Sequence, residues 1–150
     1  MGRALAEAFP TARRTFEEAN DLLGYDLARI CFEGPDDQLT STRNCQPAIL
    51  VTSVAAWRVA REHGVEGDLT MGHSLGEYSA LVACGSLSFA EALRLVQARG
   101  DVTTDVVTRS PGRMAALLGA SDEDVEALCA EAGEVWPANY NCPGQIVASG

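Results

Sequence analysis

Gly72-His73-Ser74-Leu75-Gly76 is the stretch on which the reading of this chain turns. It follows a short apolar run, Leu69-Thr70-Met71, and precedes Tyr78-Ser79-Ala80-Leu81-Val82-Ala83-Cys84, which reads as a helix. A strand, a sharp turn bearing serine and a helix make a nucleophile elbow. A serine at the tip of such a turn projects its hydroxyl from the strand end. The positions two before and two after come close to the backbone, and glycine at both avoids a Cβ clash. The helix that follows favours negative charge at its start. The Leu75 N–H is the natural first oxyanion donor.

Outward from the elbow, composition sets bounds. The 150 residues are the length of one ordinary domain, and 47% are hydrophobic, enough for a packed core. The net charge of -10 argues against nucleic acid and anionic membranes as partners. A local arginine can still receive an anionic substrate. The five cysteines are scattered and form no C-x-x-C pair, so neither zinc nor any other metal is expected. Reduced thiols and the lack of a signal-like opening point to the cytoplasm. The longest apolar stretch, Pro47 to Trp57, is too short to span a bilayer.

The element pattern divides the chain. Residues 3–8 read as a short helix, and Pro10 opens another that Gly24 ends. Asp26 caps a third. Gln46-Pro47 opens a strong helix, Ala48 to His63, apolar nearly all round in its first half and so expected to be buried. Leu69–Met71 is the strand of the elbow. Ser88-Phe89-Ala90-Glu91 is a capping box, starting a helix that passes Gly100 to about Val107. Pro111-Gly112 marks a boundary. Beyond it Met114–Leu118, a helix Asp122–Ala132 capped by Ser121, Val135–Tyr140 and Gln145–Ser149 read β-α-β-β. A ferredoxin-like unit is β-α-β-β-α-β, two elements longer.

Gly-His-Ser-Leu-Gly-Glu-Tyr-Ser-Ala-Leu-Val (72–82) resembles the active-site signature of malonyl-CoA:acyl carrier protein transacylases, relatives of the acyltransferase domains of polyketide and fatty-acid synthases. Cys45-Gln46-Pro47-Ala48-Ile49-Leu50 is similar to that family's Thr-Gln-Pro-Ala segment. Arg94 to Gly100 resembles its arginine helix, and Asn139 to Gln145 its Asn-x-Asn-Ser-Pro-Gly-Gln hairpin. Order and spacing match along the chain, which corresponds to the family's N-terminal half.

The resemblance implies an α/β fold. Residues 1–108 would be the front of a large domain with a hydrolase-like parallel sheet. Residues 112–150 would be an incomplete ferredoxin-like α+β subdomain. It also implies a reaction without cofactor. Ser74 would take a malonyl group from malonyl-CoA as a seryl ester and pass it to the phosphopantetheine thiol of acyl carrier protein, in fatty-acid or polyketide synthesis. Arg99 would hold the malonyl carboxylate, a task suited to a planar, permanently charged guanidinium. Without the resemblance, spacing alone favours reading Arg99 as a helix-end cation with Gly100 as the cap. After Arg99 the chain departs from the family, with Thr103-Thr104 where Met-Gln is usual.

A serine needs a base, and the chain has two histidines. His73 adjoins Ser74 on the turn, where neighbouring side chains point apart. His63 belongs to the other end of the strand. No catalytic histidine is expected within the chain: the family's lies beyond residue 150, and its second oxyanion donor would precede Met1. The isolated chain is therefore expected to be inactive, with a second half of the same enzyme as a candidate partner. A non-catalytic remnant and an α/β-hydrolase esterase are the alternatives. The arginine disfavours the esterase, since water as acceptor needs no carboxylate clamp.

Overall fold

The computed structural model describes residues 1–150. The order is α1 (Arg3–Ala8), α2 (Pro10–Leu23), α3 (Leu27–Glu33), α4 (Asp36–Thr40), α5 (Thr42–Glu62), α6 (Gly76–Ala83), α7 (Phe89–Arg109), β1 (Met114–Leu118), α8 (Asp122–Ala132), β2 (Trp136–Cys142) and β3 (Gln145–Ser149). Two compact units divide it, Met1–Asp105 and Val106–Gly150. The class is mixed α/β.

The first unit is helical. Phe16 of α2, Leu27 of α3, Leu50, Val51 and Val54 of α5, and Leu93 and Val96 of α7 are buried in one core. Local chemistry sets the end of α2 and the starts of α3 and α7 where the sequence reading placed them. Gly24 ends α2 at φ 73°, and the Asp26 carboxylate accepts from the Arg29 N–H at 2.9 Å to open α3. At α7 the capping box closes: the Glu91 N–H donates to Ser88 Oγ at 3.2 Å, and the Ser88 N–H to Glu91 Oε2 at 2.9 Å.

Three features differ from the sequence reading. First, α5 starts at Thr42, so Pro47 lies inside it. The Ser41 carbonyl accepts from the Asn44 and Cys45 N–H groups at 3.0 and 2.8 Å, which winds a turn ahead of the proline. Pro47 then removes a single bond, its own to Arg43. Second, α5 is not buried on every side: Ile49 is 37% exposed while Leu50 and Ala48 are fully buried. Third, Leu69–Met71 forms no strand, and the first unit holds no parallel sheet. A strand exists only through its ladder, and no neighbouring strand lies beside this segment. Leu69 and Met71 are 78% and 83% exposed.

The second unit is a three-stranded antiparallel sheet in the order β1-β3-β2, with α8 against it. Met114 pairs with Ser149 and Leu118 with Gln145, so β1 and β3 run in full register. β2 extends to Cys142, two residues past the expected end, leaving Pro143-Gly144 as the hairpin turn. Val125 and Cys129 of α8 and Ile146 and Ala148 of β3 make its core. The alternation in β3 explains this: residues 146 and 148 share one face.

Candidate functional site

Ser74 has φ 53° and is the one non-glycine residue of the chain at positive φ. Such a conformation costs energy and persists where the surroundings impose it. Here the turn imposes it. The Gly76 N–H donates to the His73 carbonyl at 2.8 Å, and the Tyr78 N–H to the Leu75 carbonyl at 3.1 Å. Leu75, 7% exposed, is sunk in the core and anchors the turn, while Ser74 is exposed. A Cβ on Gly72 would stand 2.1 Å from the main chain of Gly76. The requirement falls on Gly72 alone. A Cβ on Gly76 would meet nothing within 4 Å, so the symmetrical expectation holds at one end only. The Leu75 N–H donates to no backbone carbonyl.

The turn brings Ser74 to an arginine. Arg99 Nη2 donates to Ser74 Oγ at 3.0 Å, and Nη1 to Gln46 Oε1 at 2.6 Å. The three residues come from α7, the elbow and α5. Gln46 is 9% exposed, a polar side chain on the buried face of a mostly apolar helix. Sequence reasoning quoted Gln46 as part of a resembling segment and gave it no role. The signal was there: a glutamine among buried apolar residues needs a partner.

Among the arginines with no carboxylate ion pair, Arg99 alone is half-buried. Arg3, Arg13, Arg14, Arg43 and Arg58 each lie within 4 Å of a carboxylate. Arg99 is half-buried, and both its partners are neutral. Its charge is therefore offset by no carboxylate within 4 Å, and a guanidinium can grip a carboxylate through two parallel N–H groups.

Neither histidine reaches the serine. His63 Nδ1 lies 2.9 Å from the Val59 carbonyl, and its ring packs edge-on to Phe9 at 5.4 Å. His73 is exposed and forms no hydrogen bond with Ser74. Arg99 cannot take the proton, because a guanidinium is donor only. Thr103, one turn beyond Arg99, donates its hydroxyl to the Arg99 carbonyl at 2.7 Å. In the second unit, Asn141 Nδ2 donates to Gln145 Oε1 at 3.2 Å across the hairpin. No group of His, Cys, Asp and Glu side chains could hold a metal ion, and no helix is long and apolar enough to cross a membrane.

Comparison with known proteins gives the chain its relatives. The chain is 46% identical to malonyl CoA-acyl carrier protein transacylase of Bacillus subtilis, over 100% of its own length and 49% of the relative's. Among solved structures, malonyl CoA-acyl carrier protein transacylase from Coxiella burnetii superposes with a TM-score of 0.94 at 38% identity, covering 100% of this chain and 49% of that one. A malonyl-transacylase solved in complex with a type II polyketide acyl-carrier protein superposes with a TM-score of 0.92 at 45% identity, covering 97% and 48%. The chain thus spans about half the length of the relatives it matches. Residues 1–150 match the acyl transferase domain throughout, and the chain belongs to that family as its N-terminal half.

Proposed function

We propose that this chain carries the nucleophile and the carboxylate clamp of a malonyl transferase. One observation carries the reading: the uncompensated guanidinium of Arg99 bonds the nucleophile Ser74 itself, at 3.0 Å. In a malonyl thioester one methylene separates the reacting carbonyl from the carboxylate. The charge must therefore be held within a few ångströms of the attacking oxygen, and here it is. An esterase would have no use for the charge.

In this mechanism the malonyl carboxylate replaces Ser74 Oγ on Arg99, freeing the hydroxyl. Ser74 Oγ attacks the thioester carbonyl, its proton passes to a base, and the oxyanion is held by the Leu75 N–H. The coenzyme A thiolate leaves and takes a proton. The phosphopantetheine thiol of acyl carrier protein then attacks the ester and releases Ser74. The relatives named for this reaction, and the one solved with its carrier protein, support the choice of donor and acceptor. The base is neither His63 nor His73, and a second half of the enzyme would supply it.

The finer fold follows the same reading. Residues 1–108 are the front of a large α/β domain, with Leu69–Met71 as a strand of a hydrolase-like parallel sheet once its neighbours are present. Residues 112–150 are an incomplete ferredoxin-like subdomain, supported by the β-α-β-β order and antiparallel pairing. The protein acts in the cytoplasm.

The direct test is prolonged incubation with malonyl-CoA followed by peptide mass mapping. The malonyl adduct is expected on Ser74. An adduct confined to cysteine overturns the reading.

A further inference from the structure

Arg99 is followed by Gly100, a buried glycine in the interior of a 21-residue helix. Glycine weakens a helix relative to alanine, so its presence there calls for a cause. The cause is a backbone crossing. A Cβ on Gly100 would stand 3.3 Å from the Thr42 carbonyl oxygen, 3.4 Å from Arg43 Cα and 3.6 Å from the Arg43 oxygen. All three are main-chain atoms, so no rotamer change can make room. The first turn of α5 meets α7 here without side chains between them.

The residues on either side of Gly100 hold the same crossing. Arg99 reaches Gln46 at 2.6 Å, and Arg43 Nε reaches Asp101 Oδ1 at 2.6 Å. The proline at 47 leaves the Arg43 carbonyl without its usual helical donor, on the carbonyl that faces Gly100. Three successive residues of α7 therefore touch α5, and only the first of them carries the site.

We propose that Gly100 is a positioning residue for the carboxylate clamp: its missing Cβ sets α7 against α5 so that Arg99 lies between Gln46 and Ser74. The proposal rests on the reading of Arg99 as the clamp and adds what holds it in place. A displacement of α7 by a few tenths of an ångström stretches both Arg99 bonds at once. Binding geometry of this kind is sensitive to such shifts.

The test compares binding of malonyl-CoA and acetyl-CoA, which differ by the carboxylate alone. Dissociation constants are measured by calorimetry for the chain, Gly100→Ala, Arg99→Ala and the double variant. Gly100→Ala is expected to lower the preference for malonyl-CoA about fivefold or more and to leave acetyl-CoA binding unchanged. In the Arg99→Ala background the same change should do nothing further. Alanine is the better helix former, so a loss of stability alone would not produce this pattern. Unchanged preference in Gly100→Ala overturns the proposal. So does an equal loss for both ligands, or an equal loss of preference with and without Arg99. If Gly100→Ala does not melt cooperatively, Arg43→Gln decides, since it releases the exposed pair on the same crossing. A fall of about twofold or more is then expected, and no fall overturns the proposal. A wild-type chain without malonyl preference overturns the clamp and the positioning together. A wild-type preference lost in Arg99→Ala but kept in Gly100→Ala removes the positioning alone.

Discussion

Arg99 and Ser74, 25 positions apart in sequence, are joined by a 3.0 Å hydrogen bond from guanidinium to hydroxyl. Without substrate the arginine thus rests on the nucleophile. A carboxylate is the stronger acceptor, so under the proposed reaction an arriving malonyl group would take Arg99 and release the serine. On that reading, binding of the acid would precede attack.

The first prediction concerns acyl choice. Arg99→Ala removes a charge-assisted contact worth on the order of 1.5–3 kcal/mol. With the second half of a relative supplied, malonyl transfer should fall roughly ten- to a hundredfold relative to acetyl transfer. Equal losses for both acyl groups would show that Arg99 does not read the carboxylate.

Gln46 offers a sharper probe. Its Oε1 holds Arg99 at 2.6 Å from a site 9% exposed. Gln46→Ala leaves the guanidinium without one neutral acceptor, at a cost of about 1–3 kcal/mol. Gln46→Glu instead supplies a permanent carboxylate. That internal anion competes with the substrate, so malonyl-CoA binding should fall further in Gln46→Glu than in Gln46→Ala, while acetyl-CoA binding changes little. Calorimetry with the two thioesters distinguishes them. Tighter malonyl binding in Gln46→Glu would contradict the uncompensated charge of Arg99.

Much of this was legible in the sequence because it is local. The elbow is set by residues within four positions of Ser74, and Gly72 answers a clash with Gly76 that the spacing alone foretells. The capping box at Ser88 and Glu91 and the β-α-β-β order are local in the same way. What escaped depends on distant partners. Arg99 by spacing reads as a helix-end cation, and only its resemblance to a family's arginine gave it a role. Gln46 received none, since nothing within its own helix shows that α7 lies opposite. The strand at Leu69–Met71 has the right composition, yet a strand is a relationship between segments and cannot be read from one.

The thiols make a third test. Burial pushes the Cys31 thiol up to about 11. Cys84 is exposed, and its hydrogen bond with Ser86, 3.2 Å from Sγ to Oγ, holds its pKa below the usual range. Iodoacetamide at neutral pH should therefore label Cys84 first and Cys31 only on unfolding. The raised value also fixes a sign. Between the unfolded pKa of 9.0 and about 11, the unfolded chain loses a proton that the folded chain keeps, so stability falls as pH rises through that window. The loss attributable to Cys31 is on the order of 2–3 kcal/mol, and Cys31→Ala should flatten that part of the pH–stability curve. A curve unchanged by the substitution would place the alkaline sensitivity elsewhere.

The last prediction joins the exposed segment before the elbow to the lack of a base beside Ser74. Leu69 and Met71 stand 78% and 83% exposed beside an open groove that Trp57, Ala80 and Ala83 also line. Thr70 Oγ1 ties the segment to the Ala80 carbonyl at 3.2 Å, so it is held in place while its backbone has no ladder. The Ser79 hydroxyl, lining the same groove, is buried without a partner. Held, apolar and unpaired backbone is a template for another strand. Chemically, Ser74 Oγ meets a donor in Arg99 and no acceptor for its own proton. Loss of the base from such a site lowers turnover by about 10⁴–10⁶. The 150-residue chain by itself should therefore show concentration-dependent self-association in sedimentation and negligible malonyl transfer to acyl carrier protein. Adding a histidine-bearing second half from a relative should suppress the first and restore the second, and Leu69→Asp with Met71→Asp should reduce association without touching Ser74. A monomer that turns over malonyl-CoA at rates ordinary for enzymes would mean that His63 or His73 serves as base after all, and replacing each by alanine would show which.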